Sequence, residues 1–278
     1  MTGFALSPAR RDELAALLDD APRLETEYPG VADYLALSPR LSGTGDEDSD
    51  SAFDLRMLHY LTGGASDNPY WDIVAPSVHT APPDRHGRRE VNGGNDSGST
   101  RLRYAQTVLQ AVYTYAIPSP RTLDWVARVS AGRRVLDIGA GRGYWAHQLD
   151  RIGVPVLAYD SEPPQRQRNM CFPATPGQPV TWYPVGDLDD LDAAPWPGSV
   201  LLLCWPPGWG DAMASQVLTR FRRAGGEQLI YIGEPPGGKT GDDAFFDLLG
   251  TGWRIADTDP DFVSWWNLND SAQHWVVR

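Results

Sequence analysis

Short apolar runs alternate with helical periodicity along the second half of the chain. The runs predict strands at 134–138, 154–159, 180–185, 200–204, 228–232, 253–256 and 273–277. The run Val200–Cys204 is apolar throughout, which is typical of a strand buried on both faces of a parallel sheet. Helical patterns separate most of these strands. Strands that alternate with helices predict an α/β fold with a doubly wound, mostly parallel sheet of seven strands.

The first part of the chain has a different pattern. We expect residues 1–118 to form a helical, loop-rich cap region on a core at 119–278. Within the cap, an acidic stretch near 41–51 is typical of a mobile linker. A long loop at 63–100, rich in Gly, Pro and Asn, predicts a lid or a binding loop. A disordered insertion without a role is the alternative for this loop.

A glycine-rich turn follows the first predicted strand of the core. The stretch 135–143 reads Val-Leu-Asp-Ile-Gly-Ala-Gly-Arg-Gly, with G-x-G-x-G spacing. The third glycine of a nicotinamide-dinucleotide fingerprint would fall at Tyr144. Asp137 stands two residues before the first glycine, where a carboxylate would repel a pyrophosphate. The same carboxylate suits the ammonium of a methionyl group and a nearby sulfonium, which favours S-adenosylmethionine over NAD.

This turn, together with both flanking strands and the acid Asp160, closely resembles the first motif of the class I S-adenosylmethionine-dependent methyltransferases. The resemblance extends over roughly residues 120–278. It implies a seven-stranded Rossmann-like sheet whose last strand is antiparallel. It also implies S-adenosylmethionine as cofactor, S-adenosylhomocysteine as product, and a cap that shapes the acceptor pocket.

We expect the cofactor to lie at the carboxyl ends of the strands. Glycines in the turn let the backbone approach it, and Asp160, about 20 residues on, is placed to grip the ribose diol. The resemblance implies an adenine contact at 186–188, with Asp187 accepting from the amino group, although neighbouring acids leave that choice open. The expected cofactor contacts are Asp137, Gly139, Ala140, Gly141, Gly143, Asp160, Ser161, Gly186, Asp187, Leu188 and Cys204.

The fourth strand ends in the sequence Cys-Trp-Pro-Pro-Gly at 204–208. This is similar to the Asp/Asn-Pro-Pro-aromatic motif of enzymes that methylate amino groups of nucleic acids. Here Trp205 replaces the polar acceptor and Gly208 the aromatic residue, which argues against nucleobase methylation. We instead expect an aromatic-walled pocket for a small organic acceptor, although core-filling tryptophans are the alternative. The expected acceptor contacts are Trp205, Pro206, Trp209 and Tyr115.

The fifth strand is followed by Gly233-Glu-Pro-Pro-Gly-Gly-Lys-Thr240, which satisfies the pattern of a phosphate-binding P-loop. Its two prolines remove or misdirect backbone donors, and acids at 242 and 243 stand where phosphates would lie. These features argue against a P-loop nucleotide-binding protein, which we keep as the alternative. In the methyltransferase interpretation, Glu234 at the strand tip is the candidate base. Trp205 and, if the cap folds over the site, His86 complete the expected catalytic set.

Composition narrows the function classes. The net charge is −12 without a basic stripe, which disfavours nucleic acid as a partner. Two cysteines cannot form a disulfide framework, and no signal peptide is recognisable, so we expect a cytoplasmic protein. We expect no membrane partner and no metal. The sequence predicts methyl transfer to O or N of a small molecule in specialised metabolism, with a non-catalytic S-adenosylmethionine-binding module as a further alternative.

Overall fold

A computed structural model describes residues 4–79 and 88–278. Its strands in these ranges are β1 (Arg88–Val91), β2 (Val135–Ile138), β3 (Val156–Tyr159), β4 (Val185–Gly186), β5 (Val200–Cys204), β6 (Gln228–Gly233), β7 (Trp253–Thr258), β8 (Phe262–Trp265) and β9 (Ser271–Val277). Seven of them form one sheet in the order β4-β3-β2-β5-β6-β9-β7. Strand β9 runs antiparallel to both of its neighbours. The predicted fold class, including the antiparallel last strand, is confirmed.

Helices cover the sheet and build the N-terminal region. Within the described ranges the α-helices are α1 (Pro8–Leu18), α2 (Ala21–Glu27), α3 (Pro29–Leu37), α4 (Glu47–Leu61), α5 (Pro69–Val74), α6 (Thr100–Val112), α7 (Pro120–Ser130), α8 (Tyr144–Arg151), α9 (Leu188–Asp192), α10 (Met213–Arg223) and α11 (Asp243–Gly252). Local chemistry explains the starts of several of them. For α7, the Ser119 hydroxyl accepts a hydrogen bond from the Thr122 N–H, and Pro120 occupies the first helical position.

Both faces of the sheet are buried, because successive side chains of a strand point to opposite sides. Leu202 on β5 belongs to the apolar cluster on one face, and Leu201 and Leu203 belong to the cluster on the other. All three leucines are fully buried. This explains the unbroken apolar run of β5, and it leaves only the strand ends for polar chemistry.

The N-terminal helices share a hydrophobic core with the rest of the chain. One apolar cluster joins Leu14 and Tyr34 to Tyr144 on α8 and Trp265 on β8. The indole N–H of Trp265 donates to the Tyr70 hydroxyl at 3.0 Å. Strand β1 pairs in parallel with β8 in a separate two-stranded sheet. The predicted boundary near residue 118 is therefore crossed by continuous packing.

Two segments of the cap are more ordered than predicted. Helix α4 begins at Glu47, inside the acidic stretch interpreted as a linker. The reason is helix capping, since the Asp46 side chain accepts from the Ser49 N–H and the Asp50 carboxylate accepts from the Thr44 N–H, both at 3.0 Å. The predicted loop at 63–100 likewise contains α5 and β1, and β1 forms because β8 offers it a parallel partner.

The third strand of the core is shorter than predicted. A strand was expected over 180–185, but only Val185–Gly186 pairs, with β3. Upstream of it the backbone turns towards the glycine-rich turn, where the Trp182 N–H donates to the Arg142 carbonyl at 2.8 Å. The Arg142 guanidinium, which is buried, also donates to the Val180 carbonyl. Tertiary bonds to Arg142 therefore replace the expected strand ladder.

Candidate cofactor and acceptor site

A cavity of about 740 Å³ opens at the carboxyl ends of β2, β3 and β5. It lies where the strand order reverses, which is where open α/β sheets bind ligands. Its volume is typical of small-molecule sites. The predicted site residues that line it are Tyr115, Asp137, Gly139, Ala140, Asp160, Ser161, Leu188, Cys204, Trp205, Pro206 and Trp209.

The glycine-rich turn adopts the backbone that its sequence requires. Gly139, Gly141 and Gly143 have φ angles of 79°, 56° and 75°, in the left-handed region that side chains disfavour. A Cβ on Gly141 would lie 2.5 Å from the ring of Phe172, and one on Gly143 would lie 3.0 Å from Tyr183. Only Gly139 of the three lines the cavity. The other two allow later parts of the chain to pack over the turn.

Asp160 connects the turn to the cavity wall. Its two carboxylate oxygens accept from the N–H groups of Gly141 and Glu162, each at 2.8 Å. Burial raises the pKa of Asp160, and these two backbone hydrogen bonds oppose that shift. Oδ1 also accepts from the Asn169 amide at 3.3 Å, so Oδ2 has a free lone pair for a ligand hydroxyl, and Oδ1 can take a second hydroxyl in place of the Asn169 bond.

Asp137 is buried at the end of β2, also on the cavity wall. Its Oδ2 atom has no hydrogen-bond partner among the described residues. Burial, and secondarily the charge of Asp160, raise the pKa of Asp137 to about 7. Leaving a buried polar atom unpaired is costly. A cationic ligand in the cavity would supply the missing partner.

The loop after β4 departs from the expectation for an adenine contact. Asp187 caps α9, with its Oδ1 accepting from the N–H groups of Asp189 and Asp190 at 3.0 and 2.9 Å. Its Oδ2 pairs with Arg166. Neither Asp187 nor Gly186 lines the cavity, whereas Leu188 does. Asp187, the expected acceptor of the adenine amino group, therefore already uses both carboxylate oxygens, one to cap α9 and one to pair with Arg166.

Glu234, the expected base, lies outside the cavity wall. It is buried, and its Oε2 accepts from the Lys239 N–H at 2.7 Å while its Oε1 accepts from the Asn269 N–H at 3.2 Å. Both carboxylate oxygens thus fasten the loop after β6 to the turn before β9. The structure argues against a role as base for this reason. His86, the other expected base, lies outside the described residues.

The loop 233–240 does not form a phosphate cradle. Four backbone N–H groups at or beside it already bind within the protein, those of Glu234, Gly238, Lys239 and Gly241. Two of these N–H groups bind to acceptors within the loop itself. The Gly238 N–H turns back to the Pro235 carbonyl at 2.9 Å, and the Glu234 N–H donates to the Thr240 hydroxyl at 2.7 Å. A P-loop needs these donors for phosphate, so the geometry argues against this alternative.

Aromatic side chains form one wall of the cavity. Trp205 stacks on Tyr115 with ring centroids 5.5 Å apart and an interplanar angle of 16°. Tyr115 meets Phe172 edge-on, with centroids at 5.6 Å. Trp209 stands at the mouth and is 82% exposed. The wall therefore runs from the tip of β5 to the glycine-rich turn, where Phe172 packs over Gly141.

Other cavity residues were not anticipated from the sequence. Phe172, Cys171 and Asn169 come from the loop after β3, and Met213 comes from the start of α10. The buried Asn169 donates to Asp160 at 3.3 Å and accepts from the N–H of Phe172 at 2.8 Å. The stretch 161–179 lacks a periodic pattern that would have indicated this position.

Charge in the cavity is predominantly negative. Four carboxylates line it, those of Asp137, Asp160, Glu162 and Asp211. The one cationic side chain among the described lining residues is Lys239. A negative, partly buried cavity concentrates positively charged ligands.

Comparisons with known proteins find similar structures but no matching family. No family model matches the chain, and no curated protein matches it. Among solved structures, it is similar to magnesium protoporphyrin IX methyltransferase from Synechocystis PCC 6803 with bound SAH, at 18% identity and a TM-score of 0.35, over 56% of this chain and 80% of that one. It is also similar to N,N-8-amino-8-demethyl-D-riboflavin dimethyltransferase from Streptomyces davawensis, at 14% identity and a TM-score of 0.33, over 98% and 99%. Likeness at this level does not assign an activity.

Proposed function

We propose that this protein is an S-adenosylmethionine-dependent methyltransferase that acts on O or N of a small organic acceptor. The observation that carries the proposal is the unpaired Oδ2 of Asp137, buried on the wall of a negatively charged cavity beside the glycine-rich turn. Few common cofactors bring a cation to that position. S-adenosylmethionine brings both an ammonium and a sulfonium.

The residues present fit this cofactor. Asp137 would hold the methionyl ammonium, and the two oxygens of Asp160 would accept from the ribose hydroxyls. The backbone at Gly139 and Ala140 would lie against the bound molecule, since both residues line the cavity. When bound, the cofactor supplies a methyl group already activated on sulfur.

The protein's own contribution is alignment and exclusion of water. The Trp205–Tyr115–Phe172 wall gives the acceptor an apolar surface next to the cofactor residues. Holding two reactants in line can supply several kcal/mol of the barrier. None of the described histidines lines the cavity, and His86 lies outside the described residues, so we propose that positioning carries most of the catalysis.

We further propose a role in natural-product biosynthesis in the cytoplasm, with no nucleic acid partner. The aromatic wall and the cap region packed against the core support a small, apolar acceptor. The acidic net charge disfavours a polyanionic partner. Within the described residues, no helix is long and apolar enough to cross a membrane.

Calorimetry with S-adenosylhomocysteine and with ATP–Mg²⁺ tests the cofactor. We expect saturable binding of S-adenosylhomocysteine and no binding of ATP–Mg²⁺. Tight binding of ATP–Mg²⁺ without binding of S-adenosylhomocysteine would contradict the proposal. Incubation with methyl-labelled S-adenosylmethionine and a panel of phenols and aromatic amines then separates an enzyme from a non-catalytic binding module, because only the enzyme labels an acceptor.

A further inference from the structure

Trp205 and Trp209 have a strained backbone. Among the described residues, only Ala131, Trp205 and Trp209 combine a side chain with a positive φ, and the two tryptophans have φ of 55° and 54°. Both belong to the turn after β5 and both line the cavity. Bulky residues persist in this conformation only where the surroundings impose it, and such strain clusters at functional sites.

A buried carboxylate holds one of the two tryptophans. The Trp205 indole N–H donates to Oδ2 of Asp270 at 2.9 Å. The other oxygen, Oδ1, accepts from the Ser264 hydroxyl. Asp270 is 1% exposed and does not itself line the cavity. The carboxylate therefore acts on the cavity through the indole of Trp205.

The turn that carries Asp270 is itself anchored. The Asn269 N–H donates to Oε1 of Glu234 at the end of β6, and the Trp205 N–H donates to the Ile232 carbonyl at 2.7 Å. The tips of β5 and β6 and the turn before β9 are thus linked by hydrogen bonds. A buried charge is costly unless its hydrogen bonds are satisfied, and here they determine the orientation of one ring.

The orientation of that ring has a consequence for ligands. Trp205 lies nearly parallel to Tyr115, Tyr115 meets Phe172 edge-on, and all three rings line the cavity. The exposed indole of Trp209 stands at the mouth of the same cavity. A flat molecule gains stacking contacts on such surfaces that a puckered molecule of equal size does not.

We propose that Asp270 is a positioning residue for the acceptor: it fixes the plane of Trp205 and thereby selects planar aromatic acceptors over non-planar ones. That the selected ligand is a methyl acceptor rests on the proposed function. The selectivity itself is a binding property that is measurable without methyl transfer.

The test uses 2-naphthol as a planar probe and its saturated counterpart 2-decalol as a non-planar one. Protein labelled with 5-fluorotryptophan is titrated with each probe by ¹⁹F NMR, and the Trp205 resonance is assigned with Trp205→Phe. We expect 2-naphthol to shift that resonance and to bind about tenfold more tightly than 2-decalol, as a stacking gain of this kind allows.

Asp270→Leu removes both the acceptor of the indole N–H and the buried carboxylate. We expect its Trp205 resonance to move or broaden and its preference for 2-naphthol to fall to about one-third or less of the wild-type value. Affinity for S-adenosylhomocysteine should stay within about twofold, which a general loss of structure would not allow. Asp259→Asn is the matched control, since Asp259 is equally buried and accepts from the Asp261 N–H, away from the cavity. It should leave both properties unchanged.

Asp270→Ala keeps the test decisive if the leucine variant does not fold. It removes the acceptor of the indole N–H without adding volume, so the Trp205 resonance and the selectivity should still change. Unchanged selectivity in a folded Asp270 variant, or equal binding of both probes to the wild type, would overturn the inference. Failure of S-adenosylhomocysteine to bind the wild type would instead overturn the proposed function and leave the probe selectivity standing.

Discussion

The cavity has two sides that are built in different ways. The proposed cofactor side comes from one continuous βαβ segment, in which Asp137, the glycines and Asp160 lie within 24 residues of sequence, 137–160. The proposed acceptor side is assembled from Tyr115, Phe172 and Trp205, with Asp270 behind them, on four separate parts of the chain. Local spacing determines the first side, and tertiary packing determines the second.

This difference makes the two sides respond differently to substitution. On the cofactor side, backbone N–H groups and carboxylates bind one another directly, as between Gly141 and Asp160. Changes there should alter cofactor affinity. On the acceptor side, side chains hold side chains through buried anchors such as Asp270, so changes there should alter selectivity or stability while cofactor affinity persists.

The largest expected effect is that of Asp160→Ala on the cofactor side. It removes two charge-assisted hydrogen bonds to the ribose, each worth about 1.5–3 kcal/mol, so affinity for S-adenosylhomocysteine should fall by about a hundredfold or more. Calorimetry measures this loss. Asp189→Ala, an exposed acid on the neighbouring helix α9, is the control and should bind as the wild type does. Equal affinity of the Asp160 variant would remove the ribose assignment.

Glu234→Gln tests whether the acid at the tip of β6 is an anchor. The amide must face one of two backbone N–H groups, those of Lys239 and Asn269, and leave it unpaired. We expect the free energy of unfolding to fall by about 1–3 kcal/mol, measured with urea. Asp243→Asn, on an exposed acid of α11, should have little effect.

The pH dependence of turnover separates an anchor from a base at Glu234. For an anchor, the profile of rate against pH should keep its shape in Glu234→Gln. If the variant no longer shows the fall in rate at low pH, and its stability is unchanged, Glu234 takes a proton in the reaction instead.

Asp137→Asn tests the buried carboxylate of the cofactor side. Because the pKa of Asp137 is raised to about 7, its neutral form dominates below that pH in the ligand-free protein. A methionyl ammonium binds the ionised form more strongly. Wild-type affinity for S-adenosylhomocysteine should therefore rise between pH 6 and pH 8, by up to about tenfold per pH unit below the pKa. The asparagine variant should show a flat profile, and a flat wild-type profile would contradict the assignment.

Stability of the ligand-free protein should change in the opposite direction. The folded state binds the Asp137 proton more tightly than the unfolded state, in which the pKa has its usual value of 3.8. Stability from this group is thus complete below about pH 4 and declines as the pH rises towards 7. Asp137→Asn removes the decline, and melting temperatures at pH 5 and pH 8 compare the two proteins.

The smallest effect is expected for Lys239→Ala. Lys239 is exposed and sits at the edge of the cavity, while its backbone N–H, not its side chain, binds Glu234. Affinity for S-adenosylhomocysteine should stay within about twofold, a change below 0.5 kcal/mol. A wild type that binds ATP–Mg²⁺ and loses it in this variant would restore the P-loop interpretation.

The sequence predicted the sheet and the glycine-rich turn because their signals are local. The apolar run of β5 and the G-x-G-x-G spacing each follow from constraints within a few residues, namely burial on two faces and a left-handed backbone. Asp137 and Asp160 could be placed for the same reason, since strand ends set their positions at the cavity.

The sequence failed where one residue had competing partners. Asp187 and Glu234 were expected at the cavity because each follows a strand. Both carboxylates instead accept hydrogen bonds from backbone N–H groups of neighbouring loops and helix ends. The stretch before α4 looked like a linker because it is acidic, yet its acids cap a helix. Such competition is decided by geometry that spacing alone does not contain.

A crystal structure of the complex with S-adenosylhomocysteine would show which groups Asp137 and Asp160 bind. We expect the methionyl ammonium to lie within hydrogen-bond distance of Oδ2 of Asp137 and the ribose hydroxyls to lie against Asp160. A ligand bound elsewhere, or Asp137 Oδ2 still unpaired beside a bound ligand, would contradict this expectation.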